Sequence, residues 1–146
     1  YTWKINGKVL SGATASTLTV PAAAKGKKIT VTVTGSKVGY STASKTSAST
    51  AKVKVGSLSA ATPTVTGTAV VGQVLTANAG SWAPAPVALS YQWYRNSSKI
   101  KRATGATYTR VKADKGKKIK VKVTGKKSGF TTLSKVSKKT ATVKAV

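Results

Sequence analysis

Cysteine, histidine and methionine are absent from this 146-residue chain, and Asp114 is its only acidic side chain. Each absence closes off some chemistry. Acid–base catalysis near neutral pH needs an imidazole or a carboxylate, and nucleophilic catalysis needs a Ser, Thr or Cys beside such a base. Zinc takes Cys, His or carboxylate ligands, and calcium takes carboxylate-rich oxygen clusters. One Asp supplies none of these, so the chain reads as non-enzymatic, with no metal site and no cofactor. No disulfide can staple it, which leaves the apolar core to hold it and the redox compartment open. No apolar run approaches the roughly 20 residues of a membrane helix, so no transmembrane segment is expected. Lack of Met makes a chain processed or excised from something longer the expectation.

What is present is basic and repetitive. Lys and Arg number 26 against one acid, a formal net charge of +25. Tyr1, Trp3, Asn6, Gly26, Lys27, Lys28, Ile29, Val31, Val33, Thr34 and Gly35 recur 90 residues later as Tyr91, Trp93, Asn96, Gly116, Lys117, Lys118, Ile119, Val121, Val123, Thr124 and Gly125. A period of one small domain indicates a tandem array of folded beads. The residues before Tyr91 have no counterpart in the first copy. This predicts a partial repeat over 1–56 lacking its first strands, a linker over 57–62 and a complete repeat over 63–146.

The second copy alternates in short segments separated by turn residues, the pattern of an all-β sandwich. Strands are expected over Thr64–Thr66, Gln73–Ala77, Leu89–Arg95, Lys99–Ile100, Thr107–Thr109, Lys118–Thr124 and, closing the fold, Thr140–Val146. Leu89, Tyr91 and Trp93 share one face of their strand. Ile119, Val121 and Val123 point inward, opposite Lys118, Lys120 and Lys122. Trp3 and Trp93 are assigned to the core by strand phase. No segment sustains helical periodicity, and the stretches around Ala22–Ala24 and Val111–Gly116 read as corners between strands.

Tyr91-Gln92-Trp93-Tyr94-Arg95, followed by Ala113-Asp114-Lys115-Gly116 and an alternating strand, resembles an immunoglobulin-like sandwich. In that fold an inward Trp packs across the core and an Asp-x-Gly corner precedes the sixth strand. The strings Pro63-Thr64-Val65-Thr66-Gly67, Gly80-Ser81-Trp82, Val123-Thr124-Gly125 and Gly129-Phe130 are similar, more specifically, to the Ig-like tandem repeats of secreted and cell-surface actinobacterial proteins. The resemblance implies an exported, accessory role beside a catalytic domain and a secreted or cell-surface location. It carries no catalytic or binding residues. Ala24 stands at the position of Asp114, so any side-chain bond made at that corner is lost in the first copy.

Lys115, Lys117, Lys118, Lys120, Lys122, Lys126 and Lys127 crowd one strand and its turns. Thr30 and Thr32 occupy the positions of Lys120 and Lys122 while the inward Ile and Val residues are unchanged, so the fold does not require these lysines. Residues 1–56 hold nine bases and 57–146 hold seventeen. A cationic strip that the core does not need points to an anionic polymer as partner. The exported setting favours an anionic cell-wall polymer. Non-specific nucleic acid is the alternative, since Arg95, Arg102 and Arg110 are too dispersed for base readout. The blander alternative is that charge merely keeps an exposed array soluble and blunts strand edges.

Trp82 and Tyr94 together would make a platform for stacking on a glycan ring, which would make the segment a carbohydrate-binding module. Otherwise Trp82 folds back to cap one end of the sandwich. The partial first copy would expose an apolar sheet face. Either it leans on the complete repeat, or strands from another molecule complete it and produce self-association. A lone Asp in a turn is expected at the surface. The function these readings predict is a non-catalytic, wall-associating spacer and adhesion module, with a cationic antimicrobial or nucleic-acid-coating fragment as a further alternative.

Overall fold

A computed structural model describes residues 1–145. The chain is all-β, with several sheets consistent with a β-sandwich, and it divides into two compact units, Tyr1–Gly56 and Ser57–Val146. Among the described residues no helix is long and apolar enough to cross a membrane, which leaves strand-borne crossing unaddressed.

Unit 1 contains β1 (Thr2–Ile5), β2 (Lys8–Val9), β3 (Ile29–Gly35) and β4 (Ala43–Thr46), hydrogen-bonded in the order β2-β1-β3-β4. Asn6 and Gly7 turn β1 into β2 with φ of 46° and 82°. That left-handed pair is what a two-residue hairpin requires, and Asn-Gly adopts it at least cost. The Asn6 side chain then accepts the Lys28 amide at 2.9 Å, tying the hairpin to the start of β3. A single 3-10 turn, Ala22–Ala24, makes the expected corner.

The chain continues through β5 (Gly56–Ser57) into unit 2, which carries β6 (Ser59–Ala60), β7 (Thr64–Thr66), β8 (Val74–Asn78), β9 (Trp82–Ala83), β10 (Ala88–Arg95), β11 (Ser98–Lys99), β12 (Thr107–Thr109), β13 (Ile119–Lys126), β14 (Phe130–Thr131) and β15 (Leu133–Val136). One sheet runs β11-β10-β13-β15 and another runs β12-β8-β7. Leu75 and Ala77 of β8, Trp93 of β10, Ile119, Val121 and Val123 of β13, and Val143 form the core cluster. Trp93, Ile119, Val121 and Val123 are completely buried. The alternation expected from the sequence therefore holds in β13, because directly opposite residues share a face and Trp93 pairs Val121 while Tyr91 pairs Val123.

Two segments differ from expectation. Residues 57–62, read as a linker, include β6, which pairs Ser59 with Ala83 and Ala60 with Trp82. The strand beside β13 is β15, Leu133–Val136, and not Thr140–Val146. Past Val136 the chain stays alongside β13 by a different device. Ser137 donates its amide to the Val121 carbonyl and takes the Val121 amide on its hydroxyl at 3.0 Å; Thr140 does the same with Ile119 at 3.0 Å. Hydroxyls substitute for ladder carbonyls there, so the run is paired without being a strand. Lys144 makes only an isolated bridge to Val70, and Val146, assigned to the closing strand, lies outside the described residues.

Candidate functional site

The outer face of the β11-β10-β13-β15 sheet is built from cross-strand rows. Lys99, Tyr94 and Lys120 form one row, and Gln92, Lys122 and Val136 the next. Ser90, Thr124 and Ser134 follow, with the Thr124 and Ser134 hydroxyls 2.8 Å apart, and then Ala88 with Lys126. Strand geometry puts Lys120 and Lys122 roughly 7 Å apart along β13, and Lys99 about 10 Å from Lys120 across two strands. The Lys120 ammonium sits 5.9 Å from the centroid of the Tyr94 ring. An aromatic flanked by two ammonium groups is suited to a polymer that alternates rings with negative charge.

The seven sequence-predicted lysines do not act as one strip. Lys120, Lys122 and Lys126 share the outer face of β13. Lys115, Lys117 and Lys118 are exposed at the corner leading into that strand. Lys127 is committed elsewhere: its ammonium donates to the Ala85 and Pro86 carbonyls at 3.0 and 3.1 Å and lies 5.6 Å from the Phe130 ring. Lys99, which sequence reasoning did not include, joins the face because the hairpin at Asn96, with φ 51°, sets Tyr94 opposite it.

Trp82 and Tyr94 are not brought together. The row Ile119, Val121, Val123, Gly125 faces inward, and a Cβ added at Gly125 would overlap the Trp82 ring and come within 2.9 Å of Val87 Cγ1. The indole therefore lies over the inner face, its Nε1 donating to the Ala79 carbonyl at 3.1 Å. Tyr94 pairs Lys120 on the opposite face, five residue pairs away along the strands. A shared stacking platform is geometrically excluded, and Trp82 is half-buried against the core.

Asp114 is buried too, contrary to the expectation for a lone turn aspartate. It ends the 3-10 turn Lys112–Asp114 with no exposed surface, and its carboxylate accepts from Arg95 Nε at 2.6 Å, the Tyr108 hydroxyl at 2.7 Å and the Val111 amide at 2.8 Å. Its bond holds the Arg95 guanidinium above the ordinary arginine range. Burial first, and the Asp114 bond second, push the Tyr108 hydroxyl up to about 12. Arg110 is buried beside the same corner, donating to the Gln73 and Val74 carbonyls at 3.1 and 3.2 Å, and desolvation lowers its pKa despite the attraction of Asp114. Because the only acid of the sequence is enclosed and satisfied, no carboxylate side chain screens the lysine face.

Unit 1 presents different chemistry at the positions 90 residues earlier. Val9, Lys4 and Thr30 replace Lys99, Tyr94 and Lys120; Thr32 and Thr46, hydroxyls 2.8 Å apart, replace Lys122 and Val136. Its outer face is mostly hydroxyl, and the cationic, aromatic character belongs to unit 2. No protein-family model matches the chain, and no curated protein matches it in sequence.

Proposed function

We propose that the chain is a non-catalytic spacer and adhesion segment of an exported bacterial protein, built of tandem Ig-like repeats and held to anionic wall polymer by the lysine face of unit 2. The observation that carries this reading is the row Lys99–Tyr94–Lys120 with Lys122 and Lys126 on a face where no acid competes. The Ig-like part is supported by buried Trp93 facing Val121 and by the Asp114 corner that precedes β13. The repeat is supported by recurring local bonds. Asn6 and Asn96 each accept the amide 22 residues on, and Trp3 and Trp93 each donate to the carbonyl 12 residues on. Each ammonium–phosphate contact is weak, but several on one face, multiplied by linked beads, raise effective concentration.

Pelleting the chain with purified cell walls tests this. Retention should fall steeply between low and high salt and should disappear when anionic polymer is stripped from the wall. Retention indifferent to both defeats the mechanism. A second reading, non-specific coating of single-stranded nucleic acid, draws on the same Tyr94 flanked by lysines, since bases stack on aromatics while phosphates meet cations. Tighter binding to single-stranded DNA than to wall polymer at equal salt would favour it.

A further inference from the structure

We infer that unit 2 carries a second ligand site, a crevice for a pyranose ring bearing a phosphate monoester. The crevice encloses about 370 Å³ beside β7, the edge strand of its sheet. Thr62, Pro63, Thr64 and Val65 form one wall, and Lys138, Lys139 and Thr140 form the other. It shares no residue with the row of Lys99, Tyr94 and Lys120.

Strand phase sorts the first wall. Pro63 is fully buried and Val65 packs half-buried against the core, which gives an apolar floor, while Thr62 and Thr64 are exposed and bring hydroxyls to the mouth. On the other wall, Ser137 and Thr140 anchor the chain to β13, and the two residues between those anchors are the exposed Lys138 and Lys139. Unit 1 uses the same device without lysine. The Ser47 and Thr50 hydroxyls take the Val31 and Ile29 amides at 3.1 and 3.0 Å, and Ala48 and Ser49 stand between them. The lysine pair is therefore not needed to hold this run in place.

The walls narrow the ligand. Their charged side chains are both cationic, so the ligand is an anion. Two ammonium groups on adjacent residues suit a phosphate monoester, whose charge is about −1.5 to −2 at neutral pH. The volume falls at the low end of small-molecule sites, roughly 300–1,000 Å³, and a bare ion would leave Pro63 and Val65 facing water. A sugar ring fills that space, with a C–H face on the floor and its hydroxyls toward Thr62 and Thr64. An added peptide strand is disfavoured, because Pro63 has no amide hydrogen to give and β7 is only three residues long.

The test titrates the full, isotope-labelled chain with glucose 6-phosphate and follows backbone amide shifts. The amides of Thr62, Thr64 and Thr140 should shift and saturate about tenfold or more below the concentration needed with glucose or with inorganic phosphate. Lys138→Ala with Lys139→Ser, which copies Ala48 and Ser49, should raise that midpoint about tenfold or more. Unaltered amide exchange in β13 verifies that this variant keeps its fold. No saturable shift at these amides overturns the inference, as does a midpoint equal to that of inorganic phosphate or of glucose, or binding that survives the double change. Tighter binding of a triglutamate peptide assigns the crevice to an extended acidic chain and also overturns it. The amides of Lys120 and Lys122 report the lysine face in the same spectra, so this site and the wall-binding reading fail separately.

Discussion

Replacing Asp114 by Ala should cost unit 2 about 3–5 kcal/mol, the range for breaking a buried ion pair from one side. The geometry supports a value in that range. Arg95 is 28% exposed and can turn its freed guanidinium to water, so its share is the smallest. The Tyr108 hydroxyl and the Val111 amide, both part-buried, lose an acceptor at 2.7 and 2.8 Å. Each orphaned buried donor costs about 1–3 kcal/mol. A domain of this size holds only roughly 5–10 kcal/mol in all, so the loss takes a large fraction. The positions 90 residues earlier suggest a compensated variant, because Ile5, Leu18 and Ala24 stand there as an apolar set. The triple change Arg95→Ile, Tyr108→Leu, Asp114→Ala removes donors and acceptor together. It should recover to within about 2 kcal/mol of the parent, well short of the sum of the single losses. Urea unfolding, with amide exchange along β13 as the reporter of unit 2, measures both. A single Asp114→Ala loss under about 1 kcal/mol, or a triple loss equal to the sum, refutes the reasoning.

Three further outcomes follow from the same geometry. Tyr108 keeps its proton in the folded state beyond its usual range, so the stability it brings is complete below its unfolded pKa of roughly 10 and is lost as pH rises towards about 12. The chain should therefore lose stability over that window relative to Tyr108→Phe, as followed by exchange in β13. Lys120→Thr with Lys122→Thr copies Thr30 and Thr32, and should change stability by less than about 0.5 kcal/mol per site while lowering the salt slope of polyanion binding by about one per lysine. Gly125→Ala should cost about 1–3 kcal/mol and disturb Trp82 fluorescence, because the new methyl overlaps the indole. Gly35→Ala, with open space around it, should be nearly neutral by the same denaturation assay.

The strands of unit 2 were legible where alternation was strict. Ile119-Lys120-Val121-Lys122-Val123 can bury its apolar residues only by facing one way, so face and extent follow from order alone. Thr140–Val146 misled because Ser137 and Thr140 use hydroxyls to hold the chain beside β13, and a side-chain bond leaves no trace in hydropathy. The candidate face was half legible. Lys120 and Lys122 stood out because Thr30 and Thr32 showed them to be dispensable to the core. Lys99 was missed, since its place depends on the register across a turn, and Lys127 was wrongly grouped, since its carbonyl partners lie some forty residues away. The platform of Trp82 with Tyr94 does not form; the alternative, an indole folded back on the sandwich, fits the seat that Gly125 opens on the opposite face.

Composition and order were enough for the all-β class and the lysine excess, because these depend on residue type and local alternation. Folding was needed to enclose Asp114 with Arg95 and Tyr108, to turn Trp82 inward, to take Lys127 out of the cationic face and to bring Lys99 into it. Most of those contacts join residues far apart in the chain, and it is packing between strands, not the preference of any one residue, that selects such partners.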